Sequence, residues 1–261
     1  MQNPPELRVL LLIERKTWLP CMRPFSIKQH QSGFSLVELA IVLVIVALLT
    51  SGLLLGISAQ RNAAENIDAQ RQLENIREAL LGYAMANGRL PCPANPILTS
   101  GDEDRPNISS QCNRVDSIRN GIFGVIPWAT LSLPETDPWG RRFTYYVNAD
   151  FTKPVPSGTL ASFTLSTIGN ADIKNTVTPP PASVTIASNL PAVVVSHGSR
   201  GAGAWLPDGS QMAGATDDEL ENANSTLTFV SRTPGTSFDD LVIWIAPSIL
   251  MSKMVAAGRL P

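Results

Sequence analysis

Three groups of residues in this 261-residue chain have types and spacings that could do chemistry. The first is Glu38, the lone acid at the head of an apolar run, in the string Ser32-Gly33-Phe34-Ser35-Leu36-Val37-Glu38. A carboxylate costs about 2.5–3.5 kcal/mol toward the centre of a membrane helix, so Glu38 needs a partner or must reach interfacial water. The second group is Asp217-Asp218-Glu219-Leu220-Glu221-Asn222. Its hard oxygen ligands are dense enough to hold calcium in a loop; EF-hand spacing is absent, and an acidic exposed turn is the simpler account. The third is Ser196-His197-Gly198-Ser199. A Ser/His/Asp site there would need Asp208 or another acid to orient the ring, and no G-x-S-x-G elbow is present. A polar histidine at a strand end is the preferred reading. With no C-x-x-C, H-E-x-x-H or phosphate-binding glycine loop, nothing marks the chain as an enzyme.

The apolar segment behind Glu38 positions it. Leu39 to Ile57 is a stretch of 19 residues without a charge, long enough as a helix to span a hydrocarbon core of about 30 Å. A cleavable signal peptide has a shorter apolar region with a small-residue cut site behind it. Here the run passes straight into amphipathic sequence. Ala69, Leu73, Ile76, Leu80 and Tyr83 recur at helical spacing, with Arg71, Glu74, Arg77 and Glu78 on the other face. One helix from about Ser35 to Met85 is expected, ending at Asn87-Gly88. Gly52 and Gly56 form a G-x-x-x-G pair that could bring helices close or soften this one.

Beyond it, Pro91-Cys92-Pro93 opens an irregular stretch through Asn120, in which Asp102-Glu103-Asp104 reads as a solvated loop face. Strand-like runs come next at 142–148, 162–168, 183–187, 192–196, 226–231 and 241–245, separated by Pro- and Gly-containing turns. No helix-length crossover separates them, so antiparallel pairing is expected. Residues 246–260 read as a short helix with Ile249, Leu250, Met254 and Val255 on one side. The fold class is α+β: a long N-terminal helix, its first half transmembrane and its second half amphipathic, packed on an antiparallel sheet with long loops.

The string G-F-S-L-V-E ahead of about 20 apolar residues resembles the prepilin cleavage and N-methylation motif shared by type IV pilins and type II secretion pseudopilins. The resemblance implies cleavage between Gly33 and Phe34 by a prepilin peptidase and methylation of the Phe34 amine. It also implies that Glu38 pairs with the N-terminal ammonium of a neighbouring subunit. Asp137-Pro138-Trp139-Gly140 is similar to a turn that pseudopilins carry before their sheet, and Ser166–Asp172 is a weakened form of a later family segment. Some pseudopilins bind calcium in a C-terminal loop, which would make Asp217, Asp218, Glu219, Glu221 and Asn222 the ligands; otherwise no cofactor is implied.

Setting residues 1–33 aside removes five basic and two acidic residues and leaves a net charge of −5. No basic excess therefore points to nucleic acid as a partner. Family leaders are short, and a start at Met22 gives one of 12 residues with Arg23 and Lys28. Cys21 leaves with the leader, so Cys92 and Cys112 remain as an even pair 20 residues apart. An oxidising compartment would join them; two free thiols are the alternative.

The expected organisation is a leader over 1–33, an anchor over 34–59, an amphipathic helix half over 60–86 and a periplasmic β-rich globule over 87–261. The expected partners are other pilin or pseudopilin subunits, the prepilin peptidase, the inner-membrane assembly platform and the lipid bilayer. The reading is a processed inner-membrane subunit, minor rather than major, of a pilus or a secretion pseudopilus. A filament-tip or membrane-anchored periplasmic protein that recognises a secreted substrate, DNA or a surface is the competing one.

Overall fold

The computed structural model describes residues 33, 35–179 and 182–261; within its first helix the side chains of 51–59 are also outside the description. The leader before Gly33, Phe34 and the pair Gly52/Gly56 accordingly lie outside the described side chains. The chain divides into two compact units, Met1–Gly52 and Leu53–Pro261. Helix α1, Leu36–Asn87, supplies residues to both.

In the first unit α1 is clothed in apolar side chains that its own fold does not bury, from Leu36 at 86% exposed to Leu49 at 63%. Among the described residues no helix is long and apolar enough to cross a membrane. The side chains that complete the uncharged run of the sequence are those of 51–59.

The second unit is α+β, as expected, with an additional layer. Strands β1 (Gly121–Val125), β2 (Thr144–Asn148), β5 (Ala192–Ser196) and β7 (Leu241–Ile245) form an antiparallel sheet in the order β1-β2-β5-β7. Strands β3 (Ala171–Lys174), β4 (Thr185–Leu190) and β6 (Thr228–Val230) form a second sheet, ordered β4-β3-β6. The period-2 alternation of side chains gives the first sheet two buried faces. Tyr145, Val147, Val194 and Ile243 point into a core shared with Leu73, Ile76, Leu80 and Ala84 of α1 and Leu250 and Met254 of α4 (Pro247–Ala256). Tyr146, Val193 and Val195 point the other way, onto Ile173, Leu190 and Phe229 of the second sheet. Covered on both faces, β5 reads as the unbroken apolar run Ala-Val-Val-Val, and all five of its residues are buried.

Several expectations are corrected. Ser162–Ile168 is not a strand: Thr164 and Thr167 exchange hydrogen bonds with each other's backbone, a local turn that competes with a ladder. The stretch expected to be irregular through Asn120 gives way at once to β1, whose glycines hid it. A Cβ on Gly121 would lie 2.6 Å from the Tyr146 ring, and one on Gly124 would lie 2.5 Å from the Ala94 carbonyl oxygen. Pairing is not wholly antiparallel, because β3 and β6 are parallel. Two strands and a helix lie between them in sequence, ample length for a crossover. On α4 only Leu250 and Met254 are buried, while Ile249 and Val255 are 43% exposed.

Of Asp102-Glu103-Asp104, read as a solvated face, only Asp102 is exposed. The Glu103 side chain is 9% exposed and accepts hydrogen bonds from Arg89 Nη1 at 2.8 Å, the Cys92 amide at 2.9 Å and the Tyr83 hydroxyl. Asp104 pairs with Arg114 at 2.7 Å. Burial alone would raise the Glu103 pKa, but the bonds from Arg89, Tyr83 and the Cys92 amide outweigh it and hold the carboxyl below its ordinary value. A depressed folded-state pKa contributes stability above the unfolded value and loses it as pH falls through the folded one. Asp137, raised by burial, works in the opposite sense. The comparison that isolates Glu103 is therefore wild type against Glu103→Gln in urea unfolding from pH 7 to pH 3. The wild-type advantage, about 1–3 kcal/mol for a buried charge-assisted network, should shrink toward the acid end. A pH-independent difference would refute the assignment.

Candidate processing and assembly site

Gly33 precedes α1, with no heavy atom of the described residues within 4 Å of where a Cβ would stand and no left-handed backbone angle. Ser35 is the helix N-cap. Its Oγ accepts from the Val37 amide at 3.2 Å, and Glu38 Oε2 accepts from the Ser35 amide at 3.4 Å. This reciprocal S-x-x-E arrangement satisfies two of the helix's orphan donors and sets the Glu38 carboxylate at the positive end of the helix dipole. The spacing Ser35-x-x-Glu38 is the sequence signal for that cap, one that the apolar run beside it overshadows. Glu38 thus holds a local partner within the chain while remaining exposed, on a helix whose next eleven residues carry no charge.

The globule holds the remaining sequence-predicted residues. Cys92 and Cys112 are joined by a disulfide with a Cα–Cα distance of 5.7 Å. In the Asp137-Pro138-Trp139-Gly140 turn, Asp137 Oδ1 accepts from the amides of Trp139 and Arg141, both at 3.0 Å, and Oδ2 accepts from Ser196 Oγ at 2.8 Å. Gly140 takes the positive φ the turn needs, and the Trp139 indole donates to Glu65 of α1 at 3.0 Å. The turn therefore fastens helix to sheet, a structural role.

The acidic run forms helix α3, Asp217–Ala223, in place of a loop. Neighbours along a helix do not share a face, and the run's side chains take separate partners. Asp218 accepts from Thr176 and the Val177 amide and is ion-paired with Arg232 at 2.9 Å; Glu221 accepts from Thr226 and Asn224. Asn222 bonds both backbone groups of Val230 and donates to Asp240 Oδ2. Among the described residues Glu219 is the member of the run that joins a carboxylate cluster, with Asp239 and Asp240, two residues far from it in sequence. Asp217, Asp218, Glu221 and Asn222 stand outside that cluster. Burial, then the nearby Asp240 charge, raises the Glu219 pKa against the lowering effect of Arg200.

His197 lies fully buried just past β5, its Nε2 2.9 Å from Thr144 Oγ1 and its Nδ1 3.6 Å from Asp240 Oδ1. Asp208 bonds Ser210 instead. Ser199 Oγ donates to Asp239.

Residues 28–54 match the family described as the prokaryotic N-terminal methylation motif. The chain carries the prepilin-type methylation motif. That span includes Gly33, Phe34 and Glu38, and it supports a type IV pilin-like subunit processed by prepilin peptidase. Neither a curated protein nor a solved structure matches the chain. The motif thus describes the N-terminal segment, and the globule's role is argued from its own geometry.

Proposed function

We propose that this chain is a minor subunit of a type IV pilus or of a type II secretion pseudopilus, held in the inner membrane by its N-terminal helix and packed into a filament through it. The observation that carries the reading is the apolar surface of α1 from Leu36 to Leu49, left uncovered by the chain's own fold and bearing one carboxylate, Glu38, four residues after Phe34. Cleavage after Gly33 would free an ammonium beside that surface. In a bundle of such helices an unpaired carboxylate is penalised, whereas one facing a neighbour's ammonium is offset, so Glu38 selects one axial register. The globule contributes no catalytic step in this reading; its place is the periplasm and then the filament surface.

Glu38→Ala tests this. The variant should be inserted and cleaved, yet its recovery in sheared filaments should fall at least about tenfold, since a broken buried pair costs about 3–5 kcal/mol. Recovery at wild-type level would sink the proposal. A partner-binding role at a filament tip is favoured by a groove of about 580 Å³ between Ile67, Arg71 and Glu74 of α1 and Arg232, Pro234 and Val242, the last in the edge strand β7.

A further inference from the structure

Where α3, the loop after β5 and the start of β7 meet, Glu219, Asp239 and Asp240 each turn a carboxylate oxygen to within 4.8 Å of the others. Arg200 is the one cation in contact with the group among the described residues, pairing with Glu219 and, at 3.4 Å, with Asp239. Three carboxylates against one guanidinium leave two negative charges. The Asp240 side chain is 1% exposed and that of Glu219 4%, so water does little to disperse them.

A second observation concerns a nitrogen outside that trio of carboxylates. His197 Nδ1 is buried, makes no hydrogen bond, and faces Asp240 Oδ1, which makes none either. Their separation of 3.6 Å is long for a hydrogen bond. It is close to the edge of a tetrahedron of metal–ligand bonds, about 3.4 Å for bonds of about 2.1 Å. The surroundings fix both groups as ligands. Thr144 Oγ1, 2.9 Å from Nε2, can accept its proton and so leave the Nδ1 lone pair bare. Asn222 Nδ2 donates to the other Asp240 oxygen at 2.8 Å, orienting the carboxylate.

We propose that His197 Nδ1 and Asp240 Oδ1, with Glu219 and Asp239 beside Asp240, bind one divalent first-row metal ion of the zinc class. The charge of such an ion equals the local deficit. An imidazole nitrogen among carboxylates suits zinc and its neighbours, whereas calcium takes six to eight oxygen ligands. Arg200, 41% exposed on its side chain, occupies the solvent side and competes with the ion. The ion would tie α3 and the loop after β5 to the first sheet, a structural bolt.

Calorimetric titration of the detergent-solubilised full chain with zinc chloride at pH 7.5 tests this, with calcium chloride in parallel. One equivalent of zinc should bind, with cobalt in its place giving the visible bands of a nitrogen-containing tetrahedral site. His197→Gln should weaken zinc at least about tenfold. Arg200→Gln removes a competing cation at an exposed position and should tighten it, an effect that loss of a merely structural ion pair does not produce. No uptake at millimolar zinc, calcium binding in preference to zinc, or zinc binding that Arg200→Gln leaves unchanged or weakens would each overturn the assignment. Circular dichroism checks folding of the His197 variant; if it is unfolded, the Arg200 variant decides alone.

Discussion

Replacing Gly33 with valine is expected to leave the globule's stability unchanged and to stop maturation, so that uncleaved precursor accumulates in the membrane. The described residues make no demand for glycine at this position. Among the described residues a Cβ there would meet nothing within 4 Å, and the backbone is not left-handed. Elsewhere the need is internal: Gly169 would drive a Cβ to 2.2 Å from the Leu190 carbonyl carbon, and Gly198 to 2.2 Å from the Asp239 carbonyl oxygen. When a glycine is free of its own fold's constraints, the constraint lies with whatever handles it. A peptidase that must approach the Gly33–Phe34 bond closely gains from a missing side chain. One surplus methylene in a tight pocket costs about 10–200-fold in discrimination, and valine adds more than one. Immunoblotting after pulse labelling should show the larger precursor, with unfolding of the globule within about 0.5 kcal/mol of wild type. Normal processing of the valine variant would remove Gly33 from the site. A destabilised globule would mean that Gly33 matters to folding after all.

That contrast marks what the residues alone disclose. Glu38 and Gly33 are legible because their roles depend on linear spacing to an apolar run. The amphipathic half of α1 is legible for the same reason: Ala69, Leu73, Ile76 and Leu80 keep helical period, and all four are buried. Strands β5 and β7 show themselves by β-branched and aromatic residues. Of the second sheet, β4 and β6 overlap the expected runs 183–187 and 226–231, and β3 does not show itself. This central strand, Ala171–Lys174, carries an Asp and a Lys in four residues, and its value lies in Ile173 meeting Tyr146 and Phe229 from distant parts of the chain. The acidic run misleads because charge density suggests solvent. Asp218 and Glu219 are in fact buried by Arg232 and Arg200, which approach from 14 residues downstream and 19 upstream in sequence. His197 looks like an isolated polar residue in sequence because its neighbours Thr144 and Asp240 come from distant segments of the chain. Sites built within one segment can be read from spacing; sites built at sheet ends need the topology.

The second large effect concerns the loop that spacing could only propose to be pinned. Replacing Cys92 and Cys112 together by serine is expected to cost about 3 kcal/mol, the chain-entropy value for a loop of this size. The loss should not be confined to the loop, because the residues it encloses make bonds beyond it. Glu103 sits between the two cysteines and joins Tyr83 and Arg89 at the end of α1 to the Cys92 amide, while its own amide donates to Thr130 Oγ1 at 3.0 Å. Arg105, also inside the loop, places Nε 3.1 Å from Cys92 Sγ and donates to the Thr152 carbonyl at 2.7 Å. With the cross-link gone, closing that loop must be driven by the Glu103 network alone. The two contributions are therefore coupled, and the double variant with Glu103→Gln should lose more or less than the sum of the parts by at least about 0.5 kcal/mol. Urea unfolding of oxidised and reduced protein measures both terms, and the reduced form should show the steeper denaturant dependence because its unfolded chain is more extended. A loss below about 1 kcal/mol for the serine pair, under the typical 2–4 kcal/mol, would mean that Glu103, Arg89 and Tyr83 already order the loop and that the disulfide adds little to them.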